Sequence, residues 1–326
     1  MAATRLQLAH LPTPITRSDA LDALVGTQVW LKRDDMTAGA AAGNKIRKLE
    51  YLLADACEQE ATVVVTCGGY QSNHARATTL LARQLGMRAV LLLRATRPNP
   101  VPDRGNAFLD ALAGADIRPI APAQYADRMR EMEAVAQELR AAGERPYVIP
   151  EGGSNGIGAL GYVHAMAEIR EQLDAGVNDA PDRFDAVAHA CGSGGTAAGA
   201  LLGCAAREVA PRVLAMAVCD DRSYFEATID RIVAQARALL DEPHPQAALR
   251  VLDAYKGPAY GIASDEQRRF IAQAARACGL VLDPVYSGKA LFGLSRMPDK
   301  PRRVLFIHTG GLPGLLAQAD EFGLQG

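Results

Sequence analysis

Short apolar runs alternate with amphipathic stretches along almost the whole chain. Thr62-Val63-Val64-Val65-Thr66 reads as a strand buried on both faces, and the spacing from about Ser72 to Gly86 reads as a helix. The same alternation predicts strands at Arg88–Leu93, Ile117–Ile120, Tyr147–Ile149, Ala186–Ala190, Val213–Val218 and Val304–His308. Helices are expected near Asn106–Ala113, Gln124–Ala142, Ala159–Ala175, Ala197–Val209, Tyr224–Leu240 and Asp265–Cys278, with a last one after His308. The proline-rich segment 94–102 reads as a surface loop. Strands joined by crossover helices imply an α/β fold, with parallel sheets flanked by helices on both faces. Ligands in such sheets sit outside the carboxyl ends of strands. The glycine-rich loops here all follow strands.

The chain has 326 residues, which suits two lobes of one α/β protein better than a single core. Hydrophobic residues make up 49% and charged residues 22%, the ordinary globular range. The formal net charge of −2 gives no basic field for nucleic acid or an anionic membrane, and Arg302-Arg303 reads as the flank of a strand. No apolar run approaches the ~18–20 residues that span a bilayer, and Met1–Arg5 leads into no signal-peptide core. A cytoplasmic location is therefore expected. Of the six cysteines none forms a Cys-x-x-Cys pair, so no metal site is indicated. Cys57, Cys204, Cys219 and Cys278 read as small buried side chains; Cys67 and Cys191 lie beside glycine loops, where strand-end packing is the plainer role.

In the stretch Gly39–Glu50, a small-residue loop ends in Asn44, a good helix N-cap, and Lys45 follows in the first turn of an amphipathic helix. A cation is disfavoured at that end of the helix dipole, so Lys45 is expected to have a lowered pKa and a nucleophilic amine. A solvated surface lysine, as Lys48 is expected to be, is the alternative. A phosphate-binding P-loop is excluded: three residues, not four, separate Gly39 from Gly43, Asn44 intervenes, and Ile46 follows the lysine.

Cys67-Gly68-Gly69-Tyr70-Gln71-Ser72-Asn73-His74 leaves a strand and opens a helix, a ready anion site with side-chain donors added; an ordinary capped helix start is the alternative. Cys191-Gly192-Ser193-Gly194-Gly195-Thr196 sits between strand and helix and can wrap a phosphate. It lacks the spacing of a dinucleotide fingerprint. Tyr260-Gly261, Asp283–Ala290 and His308–Gly311 are loops or strand ends carrying hydroxyls.

Taken in order, these stretches resemble the pyridoxal 5′-phosphate (PLP) enzymes of fold type II, the tryptophan synthase β-like group. The pattern is similar to the D-cysteine desulfhydrase/1-aminocyclopropane-1-carboxylate (ACC) deaminase family. The carriers are Leu31–Asp35, Gly43–Glu50, Gln71–His74, Pro150–Asn155, Asp283–Lys289 and His308–Gly311. The resemblance runs from about Leu11 to Leu316 and implies roles at the matching positions. Lys45 would carry PLP covalently and later move the substrate α-proton. Asn73 would hold the phenolic oxygen of PLP, and Cys191 through Thr196 (Gly192, Ser193, Gly194 and Gly195 between them) would cup its phosphate. Ser287 and Thr309 would face the pyridine ring. Ser72, Asn73 and His74 would receive the substrate carboxylate, and Tyr260 and Tyr286 would face the substrate. The resemblance also implies a homodimer and a large domain of residues 1–47 and 157–326 around a small domain of residues 48–156.

ACC deaminases carry a glutamate after the tyrosine that matches Tyr286; here that residue is Ser287. A carboxylate near the pyridine nitrogen strengthens the electron sink that opening a cyclopropane needs, whereas a thiolate leaves readily. The expected activity is therefore β-elimination from D-cysteine to pyruvate, sulfide and ammonia. L-Cysteate and ACC are alternative substrates on the same fold. A non-catalytic small-molecule binding protein would have no use for Lys45 among these loops and would be colourless. A nucleotide-dependent oxidoreductase fails on glycine spacing.

Overall fold

The computed structural model describes residues 4–95, 100–240 and 245–323; part of the loop expected over 94–102 lies outside them. Its strands are β1 (Ile15–Arg17), β2 (Gln28–Lys32), β3 (Val63–Gly69), β4 (Arg88–Arg94) and β5 (Asp116–Ile120), then β6 (Pro146–Val148), β7 (Ala186–Cys191), β8 (Arg212–Ala217), β9 (Ala248–Leu252) and β10 (Arg303–Ile307). They form a four-stranded sheet in the order β5-β4-β3-β6 and a six-stranded sheet in the order β1-β2-β10-β7-β8-β9. All pairings are parallel except β1 with β2. Every residue of β3 and β7 is buried, as expected of central strands with helices on both faces.

Each sheet reverses direction once. The chain steps outward from β3 through β4 to β5, then returns to place β6 on the other side of β3. Likewise it runs β7, β8, β9 and returns with β10 beside β7. At such a reversal the two adjoining loops part and leave a crevice beyond the strand ends. The loops after β3, β6, β7 and β10 carry chemistry-bearing residues, joined by Lys45 after β2 and by Tyr260 and Tyr286 after β9.

Helix Lys45–Glu58 is fixed between these sheets by close backbone packing and by buried charge. An added Cβ at Gly161, on helix Gly156–Asp174, would lie 2.2 Å from the carbonyl oxygen of Arg47. A Cβ at Gly199, on helix Gly195–Ala206, would lie 2.1 Å from that of Ala159. Two residues beyond Lys45, the buried Arg47 guanidinium pairs with Asp34 at 2.8 Å and with Glu168 at 2.9 Å. Glu168 also takes the ammonium of Lys32, and Tyr162 donates to Asp34 at 2.6 Å. These carboxylates hold the Arg47 pKa well above its ordinary value despite burial. A closed set of partners of this kind specifies one placement for the helix start.

Several local expectations change. The helix expected at Gln124–Ala142 is two, Pro122–Ala126 and Arg128–Ala141, broken at Asp127. Lys48 is buried, not solvated: its Nζ donates to the Gly152 carbonyl at 3.0 Å and to Ser154 Oγ at 3.1 Å. Cys57 is exposed, and Cys219 and Cys278 are only part-buried. Cys67 and Cys191 are fully buried, and burial pushes both thiols up to about 12, so neither is a ready nucleophile. Arg302 flanks β10, whereas Arg303 is its first residue and pairs with Asp185 at 3.0 Å. No described helix is long and apolar enough to cross a membrane.

Candidate active site

One cavity lies where the two crevices face each other. Its wall includes Lys45, Ser72, Asn73, His74, Cys191, Gly192, Ser193, Gly194, Thr196, Tyr260, Tyr286 and Thr309. Residues from six separate segments that follow strands of both sheets thus converge on one space. Gly195 and Ser287 stand outside this wall.

Lys45 begins its helix with its amine in the cavity, and its pKa falls to about 8. The main cause is desolvation; the nearby charge of Arg76 adds to it, while Asp283 and Glu151 oppose it. Burial is therefore the largest influence that frees the amine. Asn44 does not cap the helix with its side chain. Its Oδ1 accepts from Lys45 Nζ at 3.0 Å and its Nδ2 donates to Thr196 Oγ1 at 3.2 Å, tying the lysine to the loop after β7.

That loop has the form of an anion cup. Gly194 takes φ of +83°, a left-handed conformation that turns the chain into helix Gly195–Ala206. The Gly195 amide donates to Ser154 Oγ at 3.2 Å, and an added Cβ at Gly195 would lie 2.8 Å from Lys48 Nζ. Lys48 therefore sits directly beneath the cup, with a pKa well below the ordinary value because of burial and the neighbouring Lys45 charge. An arriving phosphate would supply the counter-charge that this ammonium lacks. Sequence spacing gave no hint of this residue, since its partners come from more than a hundred positions away.

Opposite, Ser72 Oγ caps helix Asn73–Gln84 by accepting from the Ala75 amide at 3.1 Å, which leaves its own proton to donate. First-turn amides have no partner within their own helix, and Asn73 and His74, which begin this one, both line the cavity. The His74 side chain does less than expected. Thr66 Oγ1 donates to the Ile149 carbonyl at 2.8 Å and so accepts from His74 Nε2 at 3.0 Å. That leaves Nδ1 as a lone-pair acceptor with no partner among the described residues. Burial holds this ring neutral, so its backbone amide, not its imidazole, suits a carboxylate.

The phenolic oxygens of Tyr260 and Tyr286 are 2.7 Å apart, and Lys45 Nζ lies 5.8 Å from the Tyr286 ring centre. Ser287 is turned away from the cavity. Its Oγ donates to Asp283 Oδ1 at 2.6 Å, and Asp283 also accepts the amides of Val285, Tyr286 and Ser287. Ser287 thus holds the turn that presents Tyr286, and Thr309 is the hydroxyl that reaches the cavity wall.

Six lining residues beyond those expected are Asn44, Gly68, Glu151, Gly152, His189 and Ala190. Burial keeps His189 neutral, with its pKa near 4. Among the described residues Glu151 is the single carboxylate on the wall; Tyr125 donates to it at 2.6 Å and Arg128 pairs with it at 2.8 Å. Pro150-Glu151-Gly152 stands out in sequence as a loop motif, but only the fold brings Glu151 to the same cavity wall as Lys45.

A desolvated lysine amine, a glycine cup backed by a second lysine, an amide side chain and a hydroxyl on one wall fit PLP. The sequence pattern of a pyridoxal-phosphate dependent enzyme matches residues 6–310. The chain belongs to that family. A bifunctional D-cysteine desulfhydrase/ACC deaminase of Arabidopsis thaliana is 40% identical to it, over 96% of this chain and 80% of the relative. A putative ACC deaminase of Thermotoga maritima is 41% identical, over 97% and 98%. The solved structure of an ACC deaminase homologue superposes with a TM-score of 0.88 at 36% identity, covering 98% of this chain and 95% of that one. Maize serine racemase, with a TM-score of 0.66 at 19% identity over 96% and 92%, shares the fold. The cofactor of this PLP-dependent enzyme is therefore PLP, on a fold type II scaffold.

Proposed function

We propose that this enzyme is a lyase that eliminates the β-substituent of D-cysteine, giving pyruvate, sulfide and ammonia. The observation that carries the reading is the Lys45 amine, desolvated to a pKa of about 8 and facing the Tyr260–Tyr286 pair across one cavity. Such an amine is poised to take an α-proton near neutral pH. Lys45 would bind the cofactor, Lys48 and the loop Gly192–Thr196 its phosphate, Asn73 its phenolic oxygen, and Thr309 its ring. PLP, when bound, draws electrons from the substrate Cα.

The chain's own groups then have separable tasks. The amides and hydroxyl at Ser72–His74 orient the substrate carboxylate. Lys45 Nζ accepts the α-proton. The tyrosine pair stays protonated, with Tyr260 pushed up to about 12 and Tyr286 well above its ordinary value, so it donates hydrogen bonds and takes no proton. The Cβ–S bond breaks and sulfide departs as HS⁻, and the 2-aminoacrylate released hydrolyses to pyruvate and ammonia.

ACC is the second substrate to weigh, because the relatives' names include that activity. D-Cysteine is preferred because position 287 holds serine, whose hydroxyl is committed to Asp283, and no carboxylate of that segment lines the cavity. The reading is tested by sulfide and pyruvate release from D-cysteine in equal amounts. Neither product appearing from a PLP-loaded sample would overturn it.

A further inference from the structure

Asn73 can present either face of its amide to the cavity: Nδ2, a donor, or Oδ1, an acceptor. The two faces have opposite effects on a cofactor phenolate. Hydrogen bonds from its neighbours decide which is presented. Asn106, fully buried near the start of helix Gly105–Leu112, has its own amide fixed at both ends by partners with only one possible role. Its Oδ1 accepts from the Arg76 guanidinium at 3.1 Å, and its Nδ2 donates to the Gln71 carbonyl at 3.0 Å. A guanidinium has only donors and a carbonyl only accepts, so Asn106 has no second orientation. Its remaining Nδ2 proton goes to Asn73 Oδ1 at 3.0 Å. With Oδ1 taken, Asn73 turns Nδ2 to the cavity.

We infer that Asn106 is a positioning residue that locks the Asn73 amide with its donor toward the cofactor's phenolic oxygen. The relay is anchored further back. Arg76 Nη2 donates to the Ala42 carbonyl at 2.5 Å, three residues before Lys45. The Asn106 amide also donates to Gln71 Oε1 at 2.7 Å, clamping the loop that precedes Asn73. The inference rests on the assignment of Asn73 to the phenolic oxygen made above and is independent of which substrate is used.

The test is the pH titration of the visible absorbance of PLP bound to the full-length enzyme, without substrate. A donor on the phenolic oxygen favours its deprotonated form. Asn106→Asp cannot donate to Asn73 and invites the amide to flip, so the midpoint should rise by about one pH unit. Asn106→Ala, which adds no buried charge, should shift it the same way by less, and serves if the aspartate variant does not fold. Asn73→Ala should also raise the midpoint, and adding Asn106→Ala to it should change nothing further. A shift in Asn73→Ala with none in a PLP-loaded Asn106 variant would overturn the inference alone, as would an Asn106 effect that persists without Asn73. An unshifted Asn73→Ala would overturn the Asn73 assignment and the inference together.

Discussion

Tyr260 and Tyr286 meet oxygen to oxygen at 2.7 Å, with their rings edge to face at 6.1 Å, although they are 26 positions apart in the chain. Between them they hold two protons, one of which is used in their mutual bond. The other is free to point at a bound substrate. Tyr286→Phe and Tyr260→Phe should each lower kcat/KM by about 10- to 100-fold, with little change in thermal stability. Steady-state rates beside melting curves check this; a rate loss matched by a large fall in Tm would show a packing role instead.

The lowered pKa of Lys45 has a consequence for stability in the cofactor-free protein. The unfolded chain keeps this proton up to about 10.5, whereas the folded chain releases it near 8. Between those values the unfolded state binds more protons, so stability rises with pH across that window. Lys45→Met removes the cost of the buried cation. Its cofactor-free form should be more stable than wild type at pH 7 by about 1–3 kcal/mol, with the gap closing as pH approaches 10.5. Denaturant titrations of both proteins at several pH values measure it. A gap independent of pH would contradict the burial argument. The same variant should lose essentially all turnover.

Lys48 is expected to act on cofactor affinity. Lys48→Met keeps the stem and removes the ammonium beneath the glycine cup. PLP should then bind about 10- to 100-fold more weakly, and kcat at saturating PLP should fall much less. Equilibrium dialysis against PLP decides it; unchanged affinity would place the phosphate elsewhere.

Glu151 places negative charge on the cavity wall, where it raises the proton affinity of Lys45, Tyr260 and Tyr286. A sulfonate on the substrate β-carbon would meet that charge, whereas a thiol would not. Cysteate should therefore be a poor substrate beside cysteine of the same configuration. Glu151→Gln should improve the cysteate-to-cysteine ratio of kcat/KM by about 10- to 100-fold. A ratio that stays fixed would mean that the Arg128 pair already cancels the charge.

Much of the fold was legible because its central strands are apolar on both faces. Val63-Val64-Val65 and Val213–Val218 have no other plausible reading. What escaped lies at the sheet edge or in short pieces. β9 carries the half-buried Arg250 in its middle, and β2 ends in Lys32, a buried lysine that is tolerated only because Glu168 arrives from another helix. The helix Ser287–Arg296 was hidden inside a stretch read as a loop motif.

Site residues were legible where glycine-rich loops follow strands, and the cavity gathers nearly all of them. Gly195, turned under the cup, and Ser287 are the exceptions; a hydroxyl says nothing about which way it points, and here Asp283 claims that of Ser287. Lys48 and Glu151 escaped for a related reason. Periodicity placed Lys48 on a helix but not against Gly152 and Ser154, and nothing local tells an ordinary loop glutamate from one that lines a cavity.

The central claim is elimination from a thiol-bearing amino acid in preference to ring opening. The most direct test supplies D-cysteine and ACC separately to the PLP-loaded enzyme and identifies the keto acid formed. Pyruvate from D-cysteine, with 2-oxobutyrate from ACC absent or slower by at least about a hundredfold, is the predicted result; a hundredfold corresponds to about 2.7 kcal/mol in the barrier. 2-Oxobutyrate formed as fast as pyruvate would contradict the account, and with it the argument drawn from Ser287.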